Sequence, residues 1–257
     1  MSLHQQWVAF LTLVVKEIRR FLRIWPQTLL PPAITMALYF VIFGNLIGSR
    51  IGEVGGFDYM QYIVPGLIMM SVIQNSYGNV VSSFYGTKFQ HSIEEMLVSP
   101  MSSVVILSGY VAGGVARGLA VGFIVTCLAL FFTDLRPEHA WITLLVVLLT
   151  AILFSLAGFI NAVFANSFDD ISIIPTFVLT PLTYLGGVFY SLDQLSEFWR
   201  GVSLLNPVVY MVNTFRYGIL GVSDVNVAAS LGAVFVITAG MFCFCLWLLH
   251  RGTGIRH

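Results

Sequence analysis

Glu94 and Glu95 are the side chains in this sequence best placed to act on another molecule. They sit in the run Lys88-Phe89-Gln90-His91-Ser92-Ile93-Glu94-Glu95-Met96-Leu97-Val98-Ser99-Pro100, a short helix-compatible segment closed by a proline. As a helix it would offer Ile93, Met96 and Leu97 as apolar knobs for a cleft on a soluble partner, with the two carboxylates setting orientation by charge pairing. An ordinary solvated loop helix fits the same residues. Bond-making chemistry has no comparable support. There is no G-x-x-x-x-G-K-[ST] run to cradle phosphates, and the only lysines are Lys16 and Lys88. No H-E-x-x-H or G-x-S-x-G occurs, and His4, His91, His139, His250 and His257 are scattered. Cys127, Cys243 and Cys245 lie in apolar runs without C-x-x-C spacing and read as small buried hydrophobes.

A second informative stretch runs from Pro175 to Arg216. Pro175 and Pro181 free backbone carbonyls and bend a helix. Gly186-Gly187 permits close packing or a break, and Asn206-Pro207 suits a turn at the tip of a re-entrant hairpin. Tyr210 and Arg216 follow, and a guanidinium there demands a partner or water.

These residues must be positioned by membrane helices. The chain has 257 residues, 58% hydrophobic and 9% charged, with mean hydropathy +0.89 and formal net charge +0. A soluble domain carries about a quarter charged residues. Six apolar runs are near the roughly 20 residues a spanning helix needs: about 27–47, 59–82, 104–132, 140–164, 171–189 and 227–249. Pro31 and Pro32 fall in the opening turn of the first, where a missing N–H costs least. Residues 3–25 read as an interfacial helix, with Trp7, Leu11, Val14, Ile18, Phe21, Leu22 and Trp25 on one stripe. Lys16, Arg19, Arg20 and Arg23 lie opposite, toward anionic lipid. No secretory leader is expected, because the apolar stretch 7–15 is short and its basic cluster follows it.

Residues 202–222 are apolar enough to suggest a seventh span, but Asn206, Pro207, Asn213 and Arg216 interrupt them. Charge bias favours six. Lys16, Arg19, Arg20, Arg23, Lys88, Arg251 and Arg256 then share one side against Arg50, Arg136, Arg200 and Arg216 on the other, which places both termini in the cytoplasm. The expected architecture is a single all-α transmembrane domain over 1–257. Within it lie an interfacial helix at 3–25, a coupling segment at 88–100 and an extracytoplasmic re-entrant segment at 190–226.

The pattern P-x5-P-L-x2-L-G-G-x-F-Y, followed by a leucine and tryptophan, N-P-x2-Y and an arginine, resembles the signature of ABC-2 type transporter permeases. The run I-E-E-M-L-V-S-P is similar to that family's coupling segment, although His91-Ser92 stands where members often carry Gly-Thr. The resemblance covers nearly the whole chain. It implies a half-transporter of the bacterial inner membrane in which two permease copies form the path and two separate ATPase subunits drive export. No cofactor is then expected on this chain, ATP and Mg being held by the ATPase partner, and no nucleic acid is bound. By position, Ile93, Glu94, Glu95, Met96 and Leu97 would be the coupling helix, and Arg19 and Arg20 would help to seat the ATPase. Phe177, Tyr184, Phe189 and Tyr190 are candidates for the pathway wall, although aromatic residues in spans also pack or meet lipid. The substrate would be a lipid or amphiphile, a drug or a polysaccharide.

Three features carry alternatives. Gly114, Gly118 and Gly122, with Gly109 and Gly113 nearby, let another helix approach closely, within the chain or across a dimer. Arg117, in the same stretch, faces the pathway or sits near the cytoplasmic end of a long third span. Asp169-Asp170 reads as a helix cap before the fifth span, or as a contact for the ATPase. Two other functions fit the composition: a channel or transporter without an ATPase, using Gln74, Asn75 and Asn79, and a non-transporting membrane scaffold.

Overall fold

A computed structural model describes residues 2–254, and these are almost wholly helical. Arg256 and His257 lie outside the described residues. Helix α1 (Leu3–Arg23) opens with a reciprocal cap: the Gln5 amide donates to Ser2 Oγ and the Ser2 amide donates to Gln5 Oε1. After a break at Ile24 the chain continues as α2 (Trp25–Thr28), α3 (Leu30–Tyr39), a π-helical stretch Phe40–Ile47 and α4 (Gly48–Ile51). Pro31 lies in the first turn of α3, where its missing N–H costs nothing.

The expectation of an all-α chain needs one small correction. Strands β1 (Glu53–Val54) and β2 (Phe57–Asp58) pair antiparallel around Gly55-Gly56. Both glycines have positive φ, 61° and 82°. Two consecutive positive-φ residues make the tight turn that joins antiparallel strands, and glycine adopts it without steric cost.

Helix α5 (Tyr59–Phe89) is 31 residues long and forms the axis of the core. Between Ser71 and Lys88 only Gln74, Gly78, Ser82 and Gly86 escape full burial. It is followed by α6 (Ser92–Val98), α7 (Ser103–Ala129) and α8 (Ala140–Phe164). Helices α7 and α8 pack along α5. Next come α9 (Asp170–Ile174), a second π-helical stretch Pro175–Leu179 and α10 (Thr180–Tyr184). The expected fifth span at 171–189 therefore ends as a helix at Tyr184, because Gly187 turns the chain with φ of 71°.

Beyond a 3-10 turn at Leu192–Gln194 lie α11 (Glu197–Leu204), α12 (Pro207–Leu220) and α13 (Val227–Arg251). Helix α12 is buried among α5, α8 and α13. Four stretches are long and apolar enough to cross a bilayer: Trp25–Ile51, Ser103–Ala129, Ala140–Phe164 and Val227–Arg251. The buried polar residues of α5 keep its own hydropathy lower.

The small residues of α7 have two uses. A Cβ on Gly118 or Gly122 would press into Ser76 or Val72 of α5, and one on Gly114 into Val80 of α5 and Ser155 of α8. A Cβ on Gly109 or Gly113 would press into Leu13 or Glu17 of α1. Both uses are packing within one chain, the bare backbone on α7 letting two helices approach closely.

Candidate functional site

The end of the molecule expected on the cytoplasmic side, the inner end, is assembled around α1. Its stripe is divided: Trp7, Leu11, Leu22 and Trp25 are exposed, while Phe21 is buried with Leu13 and Glu17. Glu17, only 1% exposed, was not expected here. It accepts a hydrogen bond from Ser83 Oγ at 2.7 Å and pairs with Arg20 Nε at 3.3 Å. Arg20 also donates to the carbonyl and side-chain oxygens of Asn79 at 3.0 and 2.8 Å. Its guanidinium is thus turned inward onto α5, whereas Arg19 is exposed. A sign was legible: Glu17 lies four residues from both Leu13 and Phe21, on the face that meets the protein.

Arg117 stands behind this network. It donates to the Thr28 carbonyl at 3.2 Å, beside the junction of α1 with the first apolar stretch. Its Nε and the Nδ2 of Asn79 are buried without a partner among the described residues.

Helix α6 hangs from the same assembly. Ser92 Oγ donates to the Thr87 carbonyl at 3.2 Å, and Tyr110 of α7 donates to Thr87 Oγ1 at 3.0 Å. Gln6 of α1 grips the far end, donating to the Pro100 carbonyl and accepting from the Ser102 amide, both at 3.1 Å. Of the expected knobs Ile93, Met96 and Leu97, the first is closed off and the other two are half-buried. Ile93 is 1% exposed, and Met96 and Leu97 pack against the chain's own core. A seven-residue helix lying on a protein surface spends its apolar face there. What α6 turns outward is Glu94, Glu95 and Val98, with Phe89 exposed just before it.

The backbone at His91 is one that suits glycine. It has φ of 55°, the one positive value at a described non-glycine residue. Glycine reaches that conformation freely, whereas histidine pays for it; here the imidazole Nδ1 lies 3.4 Å from Glu94 Oε1. Nearby, Ser167 and Asp170 bond reciprocally at the start of α9, while Asp169, in the cap position, makes no side-chain cap bond. Asp170 Oδ2 accepts from the Asn166 and Ser167 amides at 2.8 and 3.1 Å, and its own amide donates to Ser167 Oγ. The Asn166 amide leads in holding the carboxyl below the usual carboxylate range.

The opposite end, expected on the outer side, is a closed knot. Asn206 accepts from the Val208 amide at 2.9 Å, capping α12, and donates to the Leu182 carbonyl at 2.7 Å, satisfying the end of α10. Pro207 occupies the first turn of α12, and Tyr210 donates to the Leu204 carbonyl at 2.8 Å, closing α11. Arg216, 1% exposed, donates to the Gly187 carbonyl at 2.6 Å, the Tyr62 carbonyl at 3.2 Å and Asn213 Oδ1 at 3.3 Å. Its guanidinium stacks 3.9 Å from the centre of the Tyr62 ring. Asp224 joins in by accepting from the Leu192 amide at 2.8 Å and Ser191 Oγ at 3.1 Å. Arg216 is accordingly no loop charge, and without it the expected charge bias becomes seven against three.

The four aromatic pathway candidates separate. Tyr184 and Phe189 stack at 5.6 Å and are joined by two residues not anticipated, Tyr39 and Phe43. The Tyr39 and Tyr184 hydroxyls are 2.8 Å apart. Phe177 stands exposed and away from this cluster, and Tyr190 folds back to donate to the Leu185 carbonyl at 3.0 Å. The spacing of Tyr39 and Phe43, four residues apart, was the available signal.

Residues 8–220 match the ABC-2 type transporter family. The chain is 60% identical over 255 residues to the inner membrane transport permease YadH of Escherichia coli K12, covering 99% of each chain. It is 24% identical over 238 residues to nodulation protein J of Neorhizobium galegae, covering 89% of this chain and 88% of that one. The figure is 25% over 221 residues for nodulation protein J of Rhizobium leguminosarum bv. trifolii, covering 83% and 82%.

Proposed function

The chain belongs to the ABC-2 type transporter family, and from that premise we propose that it is the permease half of an ATP-driven exporter of the bacterial inner membrane. Two copies enclose the path, and separate ATPase subunits carry ATP and Mg. The chain crosses the bilayer six times with both termini cytoplasmic. The four apolar stretches are joined by α5 and by residues 170–184, and α11 with α12 re-enters from the outer side.

The observation that carries this reading is the suspension of α6. The helix presents Glu94 and Glu95 outward, yet its first residue is hydrogen-bonded to α5 and the loop that follows it to α1. A push on α6 therefore reaches the helix that lies on the membrane and the helix that forms the core. Arg19, exposed on α1, adds a cationic contact for the ATPase. Arg20 supports that contact from within by fixing α1 to Asn79.

A second copy is supported by the bareness of two elements. Ile34, Leu38 and Leu46 in the first apolar stretch, and Ile173, Ile174, Phe177 and Val178 in the 170–184 stretch, are all exposed. Facing copies would cover them and line a path with the Tyr39, Phe43, Tyr184 and Phe189 cluster. Such a wall accepts amphiphiles, drugs or sugar rings.

The test is purification of the tagged chain with whatever accompanies it, followed by an ATP hydrolysis assay. A stoichiometric P-loop ATPase is expected with the natural chain. Glu94→Ala with Glu95→Ala should leave folding intact and uncouple hydrolysis from transport in vesicles. A double variant that transports normally, or a chain that carries no ATPase, defeats the proposal.

A further inference from the structure

The surface between α1 and the inner end of α5 is hollow. A cleft of about 1060 Å³ lies there, walled by Lys16, Arg19, Arg20 and Arg23 on one side and by Ser82 and Gly86 on the other. No carboxylate lines it. The one acid nearby, Glu17, is turned away onto Ser83 and paired with Arg20. Among the described residues, Lys16, Arg19 and Arg23 have no carboxylate within salt-bridge distance. Lys16 Nζ instead lies 5.8 Å from the centre of the Tyr110 ring. Three uncompensated cations around one hollow make a field that draws in and holds an anion.

The surroundings show how the anion arrives. Leu22 also lines the cleft, and Trp7 and Leu11 are exposed on the same helix, with Trp25 exposed just beyond its end. An amphipathic helix of this kind lies at headgroup depth, so the cleft opens where lipid phosphates already are. The opposite wall leads onward. Gln74, Gly78, Ser82 and Gly86 repeat every four residues along the one incompletely buried face of α5. Gly78 and Gly86 have only open space where a Cβ would stand. A headgroup leaving the cations would meet a shallow polar track running up the core helix.

We propose that this cleft is the inner-leaflet portal of the transport path and that it selects a phosphate-bearing amphiphile. The proposal rests on the half-transporter reading above and narrows its substrate class. Arg23 supplies the planar donors that suit phosphate oxygens, Lys16 adds a point charge, and the alkyl chains stay in lipid beside Leu22.

The complex with its ATPase, solubilised in neutral detergent, is titrated with phosphatidate, phosphatidylcholine and inorganic pyrophosphate. Native mass spectrometry counts the molecules retained. The natural chain is expected to prefer phosphatidate over phosphatidylcholine by about tenfold or more, each nearby cation adding to the attraction. Lys16→Gln with Arg23→Gln should erase that preference. Gly86→Leu, which fills the cleft without changing charge, should weaken phosphatidate alone. Equal retention of the two lipids by the natural chain overturns the proposal, as does a preference that survives both variants. Tighter binding of pyrophosphate than of phosphatidate makes the ligand water-borne and also overturns it. If Lys16→Gln with Arg23→Gln loses the ATPase but keeps the lipid preference, the cleft belongs to the partner and the proposal fails. A natural chain that prefers phosphatidate but carries no ATPase defeats the half-transporter reading and spares the cleft. A chain with its ATPase and no preference does the reverse.

Discussion

The two ends of this permease handle buried charge in opposite ways. At the outer end one guanidinium, Arg216, is closed off completely, and its donors go to two backbone carbonyls and an amide oxygen. At the inner end four cations gather on α1, and among the described residues only Arg20 is matched by a carboxylate. The outer end is complete by itself. On the half-transporter reading, the inner end is half a set of interactions, left for molecules outside the chain. The difference separates a region that holds its shape from one that is acted upon.

The sharpest way to break this contrast is to cut the outer knot. Arg216→Gln should cost about 3–5 kcal/mol, because it strands buried carbonyls at Gly187 and Tyr62. The measurement is thermal unfolding in detergent, and little folded protein is expected. Arg216→Lys should rescue poorly, since an ammonium cannot fork between separate carbonyls. The matching inner change is Glu17→Gln. It keeps an acceptor for Ser83 and leaves Arg20 its two contacts with Asn79, so the loss should be about 1–2 kcal/mol. A loss equal to that of Arg216→Gln would erase the distinction between the ends.

Two smaller changes sharpen the comparison at α6 and α9. His91→Gly should stabilise the fold by about 1 kcal/mol, a left-handed residue being relieved of its Cβ, with the helical content of a detergent sample unchanged. A fall in stability would mean that the imidazole contact with Glu94 outweighs the strain. Asp170→Asn should have the least effect, and one that depends on pH. The folded carboxyl titrates below its ordinary range, so its contribution is complete above that range and disappears as pH falls through the folded value. The gap in unfolding temperature between the natural chain and Asp170→Asn should therefore close on acidification.

Much of the fold was legible because helices announce themselves locally. Apolar runs of sufficient length marked the long helices, and the prolines, Asn206 and the paired glycines marked their ends. The identity of each partner was less accessible. Arg216 was recognisable as a charge needing company, but backbone carbonyls from Tyr62 and Gly187 have no sequence signature. Ile93, Met96 and Leu97 were correctly apolar, yet periodicity does not say whether a helix faces its own chain or another. Glu17 was hidden among cations that suggested a uniformly solvated face. The turn at Gly55-Gly56 is too short to stand out between long helices.

The bare faces of α7 have a consequence for how force travels. Gly109 and Gly113 receive α1, and Gly114, Gly118 and Gly122 receive α5. Each neighbour sits against bare backbone with no slack, and Glu17–Ser83 and Arg20–Asn79 tie α1 to α5 directly. The three helices therefore form one tightly fitted unit, and a displacement applied to α1 is carried into α5 and α7 together.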